Sequence, residues 1–150
     1  MFHTRTTIQS ALLVALLGLG ASFGIAQTAT SSSAMTTRLS GESEVPPVVT
    51  NGRGSFEANL NKQTSVMSWT LTYSGLSGPL TAAHFHGPAM PGENAGVAVP
   101  LSGGLASPMS GAVTLTPAQA ADLIAGKWYV NLHTAANPNG EVRGQLTVPR

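Results

Sequence analysis

Three histidines are the side chains here whose type and spacing suggest ligand chemistry. Two of them, His84 and His86, stand one residue apart in Ala83-His84-Phe85-His86-Gly87-Pro88. In an extended strand, residues i and i+2 share a face. The two imidazoles then project side by side, while Phe85 turns the other way, toward a core. The third, His133, closes the segment Trp128-Tyr129-Val130-Asn131-Leu132-His133, which also alternates as a strand does. Imidazole nitrogen suits copper and zinc, whereas calcium and magnesium require oxygen ligands. The set therefore predicts a transition-metal site, with copper first and zinc as the alternative.

The rings meet only if the two strands are neighbours. They would then lie on an outer sheet face, beneath the Gly/Pro-rich loop of residues 87–96. Pairing His133 with Glu141 would let that carboxylate hold the second ring nitrogen and fix the tautomer, as supporting groups around metals do. Asn131 and Arg143, on the same face, complete the expected support. A plainer reading gives His84 and His86 to loop carbonyls that brace the Gly87-Pro88 turn. It makes Glu141 and Arg143 a surface ion pair worth about 0–1 kcal/mol. Glu44 is expected to accept backbone donors in a turn.

The elements that must position these residues are short strands. Residues 35–39 form a first strand, and Pro46-Pro47 marks an extended edge or loop, because proline cannot donate to a ladder. Residues 55–60 and 65–73 alternate as a hairpin with one apolar and one polar face. Residues 80–86, 96–101 and 112–115 are further strands. Thr116, Pro117 and Gln119 supply an N-cap, a first-turn proline and a capping box for a helix that runs to Ala125 and stops at Gly126. In the last hairpin, Asn131 faces Arg143, Tyr129 faces Gln145, Leu132 faces Val142, Val130 faces Gly144 and Trp128 faces Leu146. Each pair is polar on one side and apolar or small on the other, so a one-residue slip would destroy the match. Gly144 is expected to make room for the Trp128 indole, and Trp69, Trp128 and Tyr73 are expected in the core. The pattern is all-β: a Greek-key β-sandwich or barrel of about eight short strands, with one short helix in a connection.

Arg5, the apolar run of residues 11–19, and Gly24 and Ala26 at the −3 and −1 positions read as a signal peptide, residues 1–26. Residues 27–35 read as a flexible arm and 36–150 as the domain. The expected compartment is periplasmic or extracellular, with no integral membrane segment after cleavage. Cleavage would remove Arg5 and His3, leaving six basic against six acidic residues and three histidines. A near-neutral chain lacks the basic patch that nucleic acid requires. With no cysteine, an exported chain gains nothing from disulfides. The sequence names no protein partner.

Three motifs together resemble one family. Glu44-Val45-Pro46-Pro47-Val48, Ala83-His84-Phe85-His86-Gly87-Pro88-Ala89 and Asn131-Leu132-His133-Thr134 through Asn137-Pro138-Asn139-Gly140-Glu141-Val142-Arg143-Gly144-Gln145 are similar to the CHRD domain. That domain is named from chordin and also occurs in small exported bacterial proteins. The resemblance runs from about Thr37 to Val148 and implies a β-sandwich. His84-Phe85-His86-Gly87 is also similar to the His-x-His copper-ligand segment of copper/zinc superoxide dismutases. This chain departs from those enzymes in having no cysteine pair, no cluster of zinc-ligand histidines and too few imidazoles for a four-histidine copper site.

Enzymatic signatures are otherwise missing. There is no Gly-x-Ser-x-Gly elbow and no phosphate-binding glycine loop followed by lysine. No residue is assigned a catalytic role, and dismutase-like redox chemistry is the nearest enzymatic pattern. Two readings remain: an exported copper-binding domain in metal handling or redox chemistry, and a non-catalytic extracytoplasmic binding or scaffold module without metal.

Overall fold

The computed structural model describes residues 31–149. The expected signal peptide lies outside them, as do residues 27–30 of the expected arm, whereas residues 32–35 of that arm belong to the first strand. Eight antiparallel strands form one curled sheet: β1 (Ser32–Ser40), β2 (Arg53–Asn61), β3 (Val66–Ser74), β4 (Leu80–His86), β5 (Val97–Pro100), β6 (Met109–Thr114), β7 (Trp128–Thr134) and β8 (Val142–Leu146). Their order is β5-β4-β7-β8-β1-β2-β3-β6. The sheet curls into a half-barrel, as the all-β sandwich or barrel expectation required.

The apolar residues of the alternating segments line the inside of the curl. Phe56, Trp69, Phe85 and Trp128 form its aromatic centre. Phe85 meets Phe56 edge-on at 5.5 Å and Trp69 at 6.0 Å, and tilts against Trp128 at 6.1 Å. Edge-on rings at such separations pair a positive rim with a negative face. Leu39, Leu60, Met67, Leu71, Leu132, Val142 and Leu146 fill the space around them.

The one α-helix among the described residues, α1 (Pro117–Ile124), begins as its sequence dictates. The Thr116 hydroxyl accepts from the Gln119 amide, and the Gln119 side chain accepts from the Thr116 amide. Gly126, at φ 73°, takes the left-handed conformation that ends the helix. Leu123 is buried and Ile124 is exposed, so α1 closes the core with one face only.

The last hairpin adopts the expected register, from Trp128 opposite Leu146 through Val130 opposite Gly144 to Leu132 opposite Val142. The reason for Gly144 is different. A Cβ there would lie 2.6 Å from the Arg38 carbonyl oxygen, so glycine is required by the crossing of β1. It is Gly87 that abuts the Trp128 indole, where a Cβ would come within 2.4 Å of Cδ1. Two boundaries move by three residues. β1 starts at Ser32, paired with Asn61, rather than at Met35. β6 starts at Met109, inside a stretch that reads as loop.

Candidate metal centre

β7 brings the site together because it sits between β4 and β8. His86 pairs with Tyr129, His84 with Asn131 and Ala82 with His133. His133 therefore lies diagonally across from His84, within reach of a ring. The ring centroids are 4.8 Å apart for His84 and His133, 5.5 Å for His84 and His86, and 6.2 Å for His86 and His133. One nitrogen from each ring falls within 4.8 Å of the others. The structure thus joins the three histidines singled out by sequence.

The hydrogen bonds at each ring assign its protons. His133 Nδ1 is 3.0 Å from the Pro138 carbonyl, and His86 Nδ1 is 3.0 Å from the Ala95 carbonyl. Carbonyl oxygens only accept, so both Nδ1 atoms carry hydrogen, and in the neutral rings both Nε2 atoms are bare. His86 Nε2 is buried and has no hydrogen-bond partner among the described residues. His133 Nε2 faces His84 Nδ1 at 3.0 Å. Burial pushes the His84 pKa down, and the neighbouring His133 and His86 push it further. Burial also lowers His133, against the opposing Pro138 hydrogen bond and with help from His86. Both shifts favour the neutral form, which is the form that binds metal.

The expected role of Glu141 is corrected. The second nitrogen of His133 goes to Pro138, and the Glu141 carboxylate is held elsewhere. Oε1 accepts from Thr50 Oγ1 and the Ser77 amide, both at 2.7 Å. Oε2 accepts from Ser77 Oγ and Thr134 Oγ1, both at 2.6 Å. Burial alone would raise this carboxyl, but donors on Ser77, Thr134 and Thr50 outweigh it and hold the pKa down to about 2. Glu141 thus ties the segment at Thr50 and the β3–β4 connection to the last hairpin. Nor is it a surface partner of Arg143, since both side chains are buried.

Arg143 is 1% exposed and makes no ion pair among the described residues. It donates to the Glu93 carbonyl at 2.6 Å and to Asn94 Oδ1 at 3.0 Å. Its guanidinium carbon lies 3.5 Å from the centroid of the Tyr129 ring. Asn131, 2% exposed, sits beside the Glu44 carboxyl rather than a histidine nitrogen, and its Oδ1 has no partner among the described residues. Glu44 is itself buried. Burial pushes its pKa up to about 7, against the opposing effects of Arg143 and Asn131. A Cβ at Gly140 would lie 2.5 Å from Glu44 Oε1 and 2.7 Å from Asn131 Nδ2, so only glycine fits there.

The outer face of β4, β7 and β8 is therefore an enclosed polar layer. Its cover is the loop of residues 87–96. Asn94 Nδ2 donates to the Val45 carbonyl at 2.8 Å, Gln145 Nε2 to the Ala89 carbonyl at 2.9 Å, and Tyr129 OH contacts the Ala95 backbone. Sequence reading missed Tyr129, Thr50, Ser77 and the Pro138 carbonyl, whereas the Ala95 carbonyl at His86 is a loop carbonyl of the kind the plainer reading expected. Tyr129 alone carried a signal, since it shares the i, i+2, i+4 face of Asn131 and His133.

A family model described as CHRD domain matches residues 35–146. The half-barrel and its enclosed polar layer define an antiparallel β-sandwich module with a histidine cluster. The chain belongs to the CHRD domain family. No curated protein and no solved structure matches it at a significant level. Among the described residues, no helix is long and apolar enough to cross a membrane.

Proposed function

We propose that this CHRD domain is an exported module that binds copper, or zinc, through His84, His86 and His133 in metal handling or redox chemistry. The observation that carries the reading is the His86 Nε2 atom, buried without a partner among the described residues and grouped with one nitrogen from each of the other rings. An unpaired buried polar atom costs about 1–3 kcal/mol, and a bound ion removes that cost. Backbone carbonyls fix two rings with Nε2 bare, which is how proteins prepare imidazole for metal. Bonds of about 2.0–2.1 Å to one ion place ligand nitrogens roughly 3–3.5 Å apart. His84 and His133 have that spacing at 3.0 Å, and the widest pair must close toward it on binding.

Calorimetric titration of Cu(II) and Zn(II) into the metal-free chain and its His86→Ala variant tests the proposal. One ion per chain is expected for the wild type, and a loss of at least about 100-fold in affinity for the variant. At 100 times Kd, the ion should add about 2.7 kcal/mol to stability. Identical isotherms for the two proteins would refute the site. The competing reading, a scaffold module without metal, is favoured by one feature: the His84–His133 hydrogen bond satisfies two of the three rings on its own.

A further inference from the structure

The geometry points to His84 as the switched ligand of the triad: its Nδ1 carries a proton in the metal-free protein and must lose it before that nitrogen can bind an ion. This inference rests on the metal reading above and adds how the site is loaded. The argument is one of proton counting. His133 Nδ1 donates to Pro138, so in the neutral ring Nε2 is bare. That bare atom lies 3.0 Å from His84 Nδ1, and two bare nitrogens would repel at that distance. The proton between them therefore sits on His84 Nδ1. His86 donates through Nδ1 to Ala95, so its Nε2 is bare as well. His86 Nε2 stands ready, while His84 Nδ1 and His133 Nε2 are tied to each other by the hydrogen bond between them, and only His84 must give up a proton to release that pair.

Loading exchanges that hydrogen bond for a metal bond. The Nδ1 proton leaves to water, and Nε2 of the same ring takes one up. The ring keeps its charge, and the freed Nδ1 lone pair bonds the ion. His84 is the one half-exposed ring of the three, while His86 and His133 are each 8% exposed. Water can thus carry out the exchange at His84, and the ion arrives from its side. The resulting ligand set is mixed: Nδ1 from His84, and Nε2 from His86 and His133.

Ring-nitrogen NMR of the full chain labelled with 15N tests this at pH 8, above the ordinary histidine pKa of about 6.5. Zn(II) serves as the diamagnetic probe. Metal-free protein should show Nδ1–H tautomers at all three rings. One equivalent of Zn(II) should convert His84 to Nε2–H and leave His86 and His133 as Nδ1–H. A metal-free His84 in the Nε2–H form overturns the inference. So does a zinc-bound protein in which His86 and His133 respond while His84 keeps its Nδ1 proton. Zinc that perturbs none of the three rings defeats the metal-binding proposal itself, and the switch with it.

Discussion

The Tyr129 ring lies parallel to the His86 imidazole, with 3° between the planes and 4.8 Å between the centroids. Arg143 covers the opposite face of the same tyrosine. The tyrosine thus holds the histidine in one orientation while an arginine fixed by the 87–96 loop presses on it from behind. Replacing Tyr129 by Leu should remove both stacks and the hydroxyl contact to Ala95. We expect a loss of about 2–4 kcal/mol in denaturant unfolding, within the range for a buried aromatic with a cation on its face. Tyr129→Phe keeps the stack and should cost about 1 kcal/mol. Equal losses in the two variants would show that the stack contributes nothing.

Glu141 should behave as a clamp that depends on its charge. Glu141→Gln keeps the shape but replaces one oxygen by a donor facing donors. We expect about 2–3 kcal/mol of destabilisation, typical of charged hydrogen bonds that are lost in a buried setting. Ser77→Ala, which removes one of the donors, should cost about half as much. A Glu141→Gln melt indistinguishable from wild type would contradict the clamp.

Asn131 and Leu132 should be comparably intolerant of charge, although strand alternation alone marks Asn131 as solvent-facing. Leu132→Asp buries an unpaired carboxylate in the core. Asn131→Asp places a second carboxyl beside that of buried Glu44, and like charges at short range disfavour ionisation of both. Thermal melts at pH 8 should show both variants severely destabilised, by more than about 3 kcal/mol. A mild Asn131→Asp phenotype would mean that this face opens to water.

The pH dependence combines opposing groups. Glu44, with a folded pKa of about 7 against 4.5, contributes stability that is full below 4.5 and is lost as pH rises through 7. Glu141, at about 2 against 4.5, contributes stability that is present above 4.5 and lost as pH falls toward 2. His84 and His133, both lowered from 6.5, contribute above 6.5 and lose that contribution as pH falls below it. Between 6.5 and 4.5 Glu44 offsets the histidines, and below 4.5 nothing does. The melting temperature should therefore change little down to pH 4.5 and fall steeply beneath it. Glu44→Gln mimics the protonated form, so it should gain on wild type by up to about 3 kcal/mol between pH 4.5 and pH 8. A constant difference across that range would rule out the raised Glu44 pKa.

Legibility in the sequence followed the range of the forces involved. The last hairpin and the helix were readable because their determinants are local: alternation with period two, a capping box, and a glycine at a helix end. The three histidines were readable because strand alternation sets their faces and pairing sets their distance. Burial of the outer face was not readable. It depends on the loop of residues 87–96 folding back, tied by its own Asn94 to Val45 and by Arg143 and Gln145 of β8 to its backbone. Once that cover is in place, Glu44, Asn131 and Arg143 become interior groups, and Glu141 needs donors from Thr50 and Ser77. Neither donor carries a pattern, since serine and threonine are common throughout the chain. Gly144 was misassigned for a similar reason: its neighbour belongs to β1, which is far away in sequence.

The position of β7 sets a timescale. It has a strand on either side and is buried along its whole length, whereas β4 has beyond it only the four-residue β5. Amides of β7 should exchange with deuterium only through global unfolding, while β5 and the outer edge of β4 open locally and often. An ion held by rings on both strands, as proposed, would bridge the persistent part of the sheet and its fraying margin. Its residence time would then be governed by how often β4 peels from β7, and bound metal would slow that peeling in return.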